Sequence, residues 1–394
     1  MAHDRGSAEN DRRVIPYGRQ SVDEPGIAEA MLEALRSPWL TTGPRVGEFE
    51  SRFASATGAA HAVAFNNGTT ALHGVMHAHG VGPGDEIIVP ANTFVASANC
   101  ALYQGATPVF ADIEDSTLLV DPADVEAKVT SRTKGIVSVD YAGQPCDYDA
   151  LNAIAKRHGI FLHADACHAL GAKYQGRPVG SLAETSSFSF HPVKPITTAE
   201  GGMVTTDDGG FARRLRVFRN HGIVSDHRSR EAAGTWEYDM VELGYNCRLS
   251  DLQCALGISQ LAQLDSFIQA RQRAAAFYDA RLGELDWIRP IEIKPDRTSG
   301  FHLYVTRLSG AAAGRQADAF SFLRGRGIGV HVMYKPVYQH SYYRERFGDR
   351  SGLCPRAEAA YGALLVLPVF PQITDAELEA VVNGLHDFQN TKLN

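Results

Sequence analysis

Short apolar runs alternate with helix-like segments over the first two thirds of this chain, and this alternation limits the folds open to it. The runs are HAVAF (61–65), EIIVP (86–90), TPVFAD (107–112), GIVSVD (135–140), GIFLHAD (159–165), SSFSF (186–190) and GMVTTD (202–207). Several are apolar on both faces, as the buried strands of a parallel sheet are. Segments 69–79, 93–103, 147–158 and 209–219 have helical patterns. The sequence therefore predicts an α/β fold with a mostly parallel sheet, helices on both of its faces, and ligands at the carboxyl ends of its strands.

The last third of the sequence has a different pattern. Apolar residues recur at close to 3.6 positions from Ser250 to about Leu285, without proline, which predicts one long connecting helix. The run FHLYVTRL (301–308), a helix near 316–326, the run GIGVHVMY (327–334) and a terminal helix from about Asp375 indicate a smaller α+β domain. We expect a flexible tail over residues 1–13, a large domain over 14–262 and a small C-terminal domain over 263–394.

Composition and charge argue against several classes of protein. The chain has 38 Lys+Arg against 45 Asp+Glu, a net charge of −7, and no long basic run, which argues against a nucleic-acid partner. It has no stretch of 18 consecutive apolar residues and no apolar segment near its N-terminus, so no membrane association is expected. Its six cysteines are scattered without a C-x-x-C pair, which predicts reduced thiols and a cytoplasmic location.

The most informative segment is SSFSFHPVKPITTAEGG (186–202), which holds a lysine between two prolines. The strand that opens it delivers Ser189, His191 and Lys194 into a loop, and Pro192 and Pro195 limit the backbone there. In a partly buried, cationic pocket the pKa of a lysine falls, and the neutral amine can form a Schiff base with an aldehyde or ketone. Taken alone, an exposed loop lysine is the commoner interpretation.

Two other motifs favour the chemical interpretation. In GIFLHADACHALGA, Asp165 falls at the end of an apolar strand, where a carboxylate needs a partner such as the protonated ring nitrogen of pyridoxal 5′-phosphate (PLP). In FNNGTTALHG, a glycine and two threonines open a predicted helix, where backbone N–H groups and hydroxyls can bind a phosphate. A phosphate site, a carboxylate and a lysine together are what a PLP enzyme needs.

With these motifs the chain resembles the DegT/StrS family of PLP-dependent nucleotide-sugar aminotransferases, from IPYGRQSVDE at residue 15 to LPVFPQITDAE near residue 377. The strings that carry the resemblance are FVASANCALYQGATPVFADI, DYAGQPCD, FSFHPVKPITTAEGG, LGYNCRLSDLQCALGISQL and PVYQHSYYRERFG. It implies the aspartate-aminotransferase fold (fold type I) with a PLP-binding large domain. Within the family the chain is most similar to members that serve pseudaminic acid synthesis, which use L-glutamate to aminate C4 of a UDP-linked 4-keto-6-deoxy-N-acetylhexosamine.

The resemblance also implies roles for individual residues. Lys194 corresponds to the family's Schiff-base lysine and proton carrier, and Asp165 to the partner of the pyridine nitrogen. Residues matching the family's phosphate contacts are Thr69, Thr70 and Ser189, and Asn246, which the family supplies from the neighbouring subunit of a homodimer.

Five more positions are implied less directly. Phe94 matches an aromatic that stacks on the pyridine ring, and His168 lies where relatives place Gln or His beside the cofactor's phenolic oxygen. Arg248 is a candidate contact for a carboxylate or phosphate, because its planar guanidinium forms paired hydrogen bonds. Relatives often have histidine at the position of Met333, and His331, expected on the same strand face, is a candidate for the missing sugar or donor contact.

Other interpretations remain open at this stage. The same family includes aminotransferases for other nucleotide keto-sugars, with the amine at C3 or C4 and dTDP or GDP as the nucleotide. Sugar dehydratases on this scaffold have histidine where this chain has Lys194, which argues against that activity. His163, Asp165 and Cys167 alternate as metal ligands do, but they extend over about 13 Å of strand and converge poorly, so no metal is expected. A scaffold protein without catalysis is the remaining alternative.

Overall fold

The computed structural model describes residues 14–22, 26–225 and 227–393, so the predicted tail over residues 1–13 lies outside the described residues. The helices are α1 (Ile27–Arg36), α2 (Pro44–Thr57), α3 (Gly68–Ala78), α4 (Ala96–Tyr103), α5 (Pro122–Ala127), α6 (Tyr148–His158), α7 (Gly209–Phe218), α8 (His227–Ala232), α9 (Asp251–Leu261), α10 (Leu264–Leu282), α11 (Gln316–Gly325), α12 (Ser341–Phe347), α13 (Pro355–Tyr361) and α14 (Asp375–Phe388). The strands are β1 (His61–Phe65), β2 (Glu86–Pro90), β3 (Thr107–Ala111), β4 (Thr133–Val139), β5 (Phe161–Asp165), β6 (Lys173–Tyr174), β7 (Arg177–Pro178), β8 (Thr185–Ser189), β9 (Gly202–Thr206), β10 (Ile288–Pro290), β11 (Arg297–Thr298), β12 (Tyr304–Leu308) and β13 (Leu364–Leu367).

The central sheet has seven strands in the order β1-β9-β8-β5-β4-β2-β3. The pairs from β8 to β3 are parallel, whereas β9 runs antiparallel to both of its neighbours. These strands coincide with the seven apolar runs to within two residues at either end, and the four predicted helices between them are α3, α4, α6 and α7. The prediction of an α/β fold with a mostly parallel sheet is confirmed.

Strand β5 lies in the interior of the sheet, and all five of its residues are buried. A buried polar side chain needs partners, and His163 in the middle of the strand has two on β8. Its Nδ1 lies 2.8 Å from Thr185 Oγ1 and its Nε2 lies 3.0 Å from Ser187 Oγ. Asp165 ends the strand, in register with Val139 at the end of β4 and Ser187 of β8. The parallel pairing therefore brings the carboxyl ends of β4, β5 and β8 to one edge.

A second sheet, in the order β10-β12-β13, packs with α10, α11 and α14 and has an apolar core of its own. Its largest fully buried side chains include Trp287 and Tyr278. The first core extends over the central sheet and includes Leu264, Phe267 and Ile268 of α10. Helix α10 therefore contributes its first turns to one core and its later turns to the other. In the part of the chain that the structure describes, no helix is both long and apolar enough to cross a membrane.

The prediction of a single helix from Ser250 to about Leu285 is wrong. Helix α9 ends at Leu261, two residues form a turn, and α10 begins at Leu264. The two helices pack against different partners, α9 against α1 and α2, and α10 against α14 and β10. Apolar periodicity in the sequence continues across the turn because both helices are half-buried, so the pattern alone does not reveal the change of partner.

Residues 327–334 do not form the regular strand suggested by GIGVHVMY. Their backbone makes only isolated bridges, Ile328 with Ile15 and His331 with Val366. Beyond His331 the chain turns toward the central sheet, where Tyr141 Oη donates to the carbonyl of Met333 and the N–H of Tyr334 donates to Asn92 Oδ1 at 3.1 Å. The expected shared strand face is therefore wrong: His331 is exposed and Met333 is buried.

Candidate active site

A cavity of ≈ 760 Å³ opens at the carboxyl edge of the central sheet. It receives residues that follow β1, β2, β5 and β8, together with side chains from the segment after Gly300 and from residues 331–334. The predicted site residues that line it are Thr69, Thr70, Phe94, Asp165, His168, Ser189, Lys194, His331 and Met333. Parallel strands end at the same edge of a sheet, and ligands of such folds bind there.

Lys194 lies in the cavity on a loop that is tied down on both sides. Its own N–H donates to the carbonyl of His191 at 2.9 Å, and the carbonyl of Phe190 accepts from Thr197 Oγ1 at 2.9 Å and from the N–H of Thr198 at 3.1 Å. Burial lowers the pKa of the Lys194 amine, although the nearby Cys167 and Asp165 oppose this shift. The lysine is thus held in place and shifted toward the neutral, nucleophilic form.

Asp165 forms the inner wall of the cavity and is 6 % exposed. Its Oδ2 accepts from Ser97 Oγ at 2.6 Å, and its Oδ1 accepts from the backbone N–H of Cys167 at 3.2 Å. Two donors from the protein therefore hold this carboxylate in place. Its remaining lone pairs can therefore face a cationic ring nitrogen.

The N-terminus of α3 lies opposite, beside the end of β8. Asn67 caps the helix, its Oδ1 accepting from the N–H of Thr70 at 2.8 Å. The Thr70 hydroxyl donates to Asn66 Oδ1 at 2.6 Å. Ser189 Oγ accepts from the N–H of His191 at 3.4 Å, and its own hydroxyl proton can be donated to a ligand. The unpaired N–H groups and positive dipole end of a helix attract an anion. This corner of the cavity is therefore suited to a phosphate.

Histidine and tyrosine side chains line another side of the cavity, where His168, His302 and Tyr334 lie close together. Burial, and after it the charge of Lys194, lowers the pKa of His168 and of His302 well below the ordinary value, so both rings are neutral. The rings lie with their centroids 4.4 Å apart, and Tyr334 Oη lies 3.4 Å from His168 Nε2. Phe94 is 55 % exposed and its ring centroid lies 6.1 Å from that of Tyr334.

Several residues around the cavity escaped the sequence interpretation: Tyr17, Asn92, Thr93, Ser97, His302 and Tyr334. Thr93 and Asn92 carried a usable signal, because they directly follow β2 and so lie at the carboxyl edge of the sheet. His302 and Tyr334 had no such signal. They reach the cavity only through the packing of the second half of the chain on the first.

Two predicted residues are not brought to this cavity. Asn246 is exposed, and Arg248 lines a different cavity of ≈ 340 Å³ that contains four further arginines. Arg248 Nη1 donates to Asn220 Oδ1 at 2.8 Å. Burial lowers the pKa of the Arg248 guanidinium, and the charge of Arg219 lowers it further. Within one chain, therefore, neither residue can contact a ligand held by Lys194 and Asp165.

Metal ligation by the alternating His163, Asp165 and Cys167 has no support in the geometry. Both ring nitrogens of His163 are used by the hydroxyls of β8, and Asp165 takes its hydrogen bonds from Ser97 and Cys167. Over residues 14–22, 26–225 and 227–393, no group of three or more His, Cys, Asp or Glu side chains is arranged to hold a metal ion.

The residues of the cavity fit PLP. A lysine amine can take the aldehyde, a buried carboxylate the pyridine nitrogen, and the N-terminus of α3 the phosphate. Within the described residues, His168 Nδ1 and Asn92 Nδ2 are buried without hydrogen-bond partners, so both atoms are available to bind a polar ligand. A Cβ at Gly68 would lie 3.0 Å from Ser189 Cβ, closer than an ordinary contact, so glycine at this position keeps the phosphate corner open.

Comparison with known proteins agrees with this geometry. The family model for the DegT/DnrJ/EryC1/StrS aminotransferase family matches residues 22–386. The spore coat polysaccharide biosynthesis protein SpsC of Bacillus subtilis is 38% identical over 376 residues, 95% of this chain and 96% of its own. PseC of Helicobacter pylori, an aminotransferase involved in the biosynthesis of pseudoaminic acid, superposes with a TM-score of 0.89 at 33% identity, covering 95% of this chain and 99% of its own. The PLP form of Spr1654 from Streptococcus pneumoniae gives 0.90 at 32% identity, covering 97% and 100%.

The chain belongs to the DegT/DnrJ/EryC1/StrS aminotransferase family. It is a PLP-dependent sugar aminotransferase, and its cofactor is PLP.

Proposed function

We propose that this protein moves the amino group of L-glutamate to C4 of a UDP-linked 4-keto-6-deoxy-N-acetylhexosamine. The product is a UDP-4-amino sugar for a surface glycan of the pseudaminic acid type. The observation that carries the reaction is the meeting of Lys194 and Asp165 in one cavity beside the N-terminus of α3. The likeness to PseC over 95% of the chain supports the choice of sugar.

In this proposal Lys194 is the catalytic base. Bound PLP supplies a ring that takes up the negative charge developing at the carbon that loses its proton. Lys194 Nζ removes the proton from Cα of glutamate, and in the second half-reaction it delivers a proton to C4 of the sugar. Burial lowers the pKa of Lys194, which favours the neutral amine that this step needs. Asp165 holds a proton on the pyridine nitrogen throughout.

The remaining lining residues bind and orient the cofactor. Thr69, Thr70 and Ser189 contact its phosphate with the first turn of α3, and Phe94 covers one face of its ring. His168, whose Nδ1 has no partner within the described chain, binds the phenolic oxygen. Buried polar atoms gain most from such a partner, because without one they lose the hydrogen bonds that water would give them.

The substrate contacts are assigned to the outer part of the cavity. Exposed His331 offers a ring nitrogen to the sugar or to the donor, and buried Met333 shapes the wall beside it. The Arg248 of the neighbouring subunit binds a carboxylate or phosphate group of the ligand, since its planar guanidinium suits both.

We further propose a homodimer in which each site takes Asn246 and Arg248 from the other subunit. Asn246 is exposed, and the segment before it presents Trp236, Leu243 and other large apolar side chains to the surface, Trp236 at 85 % exposure. An exposed apolar stretch of this kind is typical of a surface that a partner covers. If a second copy of the chain covers this apolar surface, Asn246 and Arg248 can reach the active-site cavity of that second copy.

Mixed dimers test this arrangement. Lys194→Ala and Asn246→Ala chains, each inactive in its own dimer, are co-expressed with different tags and the mixed species is purified. In the mixed dimer one site has both defects and the other has none, so activity returns to about half of the wild-type value. A mixed dimer that remains inactive contradicts the shared site. The homodimer of a chain that carries both Lys194→Ala and Asn246→Ala is the matched control and stays inactive.

Absorption spectroscopy tests the reaction. The protein is loaded with PLP, and its visible spectrum is measured before L-glutamate, after it, and after the UDP-4-keto sugar. We expect glutamate to remove the visible band of the lysine-bound cofactor and the sugar to restore it. A response to glutamate without a response to the sugar overturns the substrate, and dTDP-, GDP- and 3-keto-sugars then follow. Formation of 2-oxoglutarate from glutamate at the wild-type rate by the PLP-loaded Lys194→Ala variant would contradict the role of the lysine.

The division of labour along the chain and its place of action are part of the same proposal. Residues 14–262 form the cofactor-binding domain and 263–394 a smaller domain that closes the cavity with His302, His331 and Met333. All six cysteines are free thiols, which supports a reducing compartment, the cytoplasm.

A further inference from the structure

Three buried oxygen groups form an unbroken chain behind the cavity. Ser97 Oγ lies 2.6 Å from Asp165 Oδ2, and Thr93 Oγ1 lies 2.7 Å from Ser97 Oγ. Thr93 is 2 % exposed, Ser97 1 % and Asp165 6 %, so water does not compete for these bonds. Only Thr93 and Asp165 line the cavity, whereas Ser97 lies behind them.

The direction of the chain follows from its end. An ionised carboxylate only accepts hydrogen bonds, so the single hydroxyl proton of Ser97 goes to Asp165. Ser97 Oγ has then no proton left for Thr93, and the Thr93 hydroxyl must donate to it. Both dipoles therefore point toward the carboxylate, and in a buried chain of this kind each bond strengthens the next.

The chain also restricts how the carboxylate can turn. Oδ1 is held by the N–H of Cys167 from its own strand end, and Oδ2 is held by Ser97 from the first turn of α4. Without the serine, only the 3.2 Å bond to Cys167 would oppose rotation of the carboxylate. Hydrogen bonds from two different elements therefore fix the Asp165 carboxylate in one orientation.

We propose that Ser97, supported by Thr93, is a positioning residue that aims the Asp165 carboxylate at the pyridine nitrogen of PLP. This inference rests on the proposed function, because it assumes that Asp165 pairs with that nitrogen. Ser97 acts through Asp165 and touches neither substrate nor cofactor. Its loss should change the protonation of the ring nitrogen, which a merely structural role would leave alone.

The experiment loads the holoenzyme with PLP labelled with ¹⁵N in the ring and measures the ring ¹⁵N chemical shift by solid-state NMR, with the rate of the glutamate half-reaction beside it. The variants are Ser97→Ala, Thr93→Val and the double variant, with Asp165→Asn marking complete loss of the pairing. Ser138→Ala is the matched control. It removes another fully buried hydroxyl, one that donates at 3.4 Å to the carbonyl of His163.

We expect Ser97→Ala to move the ¹⁵N shift toward that of an unprotonated pyridine and to slow the half-reaction about tenfold, as loss of one hydrogen bond to a charged group does. Thr93→Val should slow it about two- to threefold, and the double variant should match Ser97→Ala alone, because Thr93 acts only through Ser97. Ser138→Ala should keep the wild-type shift and rate.

A wild-type ¹⁵N shift and rate in Ser97→Ala overturn the inference, as does a double variant whose effect is the product of the two single effects. If Ser97→Ala does not fold, the nearly isosteric Thr93→Val decides, and an unchanged shift and rate in that variant overturn the proposal. Failure of the proposed function is seen in the wild-type protein instead: its spectrum then does not respond to glutamate, or responds to glutamate and not to the UDP-4-keto sugar.

Discussion

Asp140 lies at the end of β4, one strand away from Asp165, and its carboxyl group is fully buried. Oδ1 accepts from Tyr148 Oη at 2.7 Å and from the N–H of Cys146 at 2.9 Å, whereas Oδ2 has no partner within the described residues. Burial, and beyond it the negative charge of Asp165, raises the pKa of Asp140 to about 7. We therefore expect Asp140→Asn to change how stability depends on pH.

The sign follows from proton linkage. The pKa of this carboxyl is higher in the folded protein, about 7, than the 3.8 of an ordinary aspartate, so between these values the folded state holds the proton more tightly. Stability from this group is then complete below pH 3.8, falls as the pH rises to about 7, and stays low above it. At about 1.4 kcal/mol per pH unit the whole loss is about 4 kcal/mol, and the part between pH 5.5 and 7 is about 2 kcal/mol.

Urea unfolding of the PLP-free protein measures the effect at pH 5.5, 7.0 and 8.5. Asparagine keeps an oxygen for both donors and cannot ionise, so Asp140→Asn should gain about 2 kcal/mol over the wild type between pH 5.5 and 8.5. Tyr148→Phe removes a donor to the charged form and so raises the folded-state pKa of Asp140 further, and the loss of stability should therefore continue to a higher pH than in the wild type. Asp115→Asn, an exposed residue in a surface ion pair, is the control and should parallel the wild type.

Parallel pH profiles for Asp140→Asn and the wild type would refute the reasoning. They would mean that Asp140 is ionised in the folded protein throughout this range, with an unseen donor on Oδ2. A profile for Tyr148→Phe that shifts toward lower pH would refute the assigned direction of the Tyr148 hydrogen bond.

Three further predictions concern the active site and its support. Lys194→Ala should slow transamination by about 10²–10⁴-fold while retaining non-covalent PLP, measured by single-turnover kinetics and by cofactor content after dialysis. Glu50→Gln leaves two arginines without their buried carboxylate and should lower the free energy of unfolding by about 3 kcal/mol, and a urea midpoint equal to the wild type would contradict this. Gly68→Ala pushes a Cβ against Ser189 and should weaken PLP binding about tenfold in a fluorescence titration, whereas Gly325→Ala, which has open space, should not.

The elements of the central sheet were predictable because their pattern is local. A strand buried on both faces is a continuous apolar run, and each run here ends at a turn signal, so seven strands and four helices were located from the sequence pattern alone. The prediction of one long helix was wrong because it, too, relied on a local pattern. Periodicity shows which face of a helix is buried, but it does not show which elements that face packs against. The packing partners change between α9 and α10.

The inner part of the cavity was also predictable from the sequence. Lys194, Asp165 and the start of α3 follow strands directly, and in a parallel sheet the strand ends meet whatever the loops do. Family resemblance added Phe94 and His168, which line the same cavity. It also marked Asn246 and Arg248, and the structure shows that these two lie elsewhere on their own chain.

The sequence by itself thus determined the class of fold, the inner half of the cavity and the cofactor, because each depends on short segments whose chemistry is complete within a few residues. Only the tertiary structure decided the outer half. His302 and Tyr334 reach the cavity from the second half of the chain, where Tyr334 bonds to Asn92, 242 positions away. The hydroxyl chain behind the inner wall was also decided by the tertiary structure, because Ser97 and Asp165 lie 68 positions apart. No local pattern encodes such contacts, since each partner alone looks like an ordinary buried polar residue.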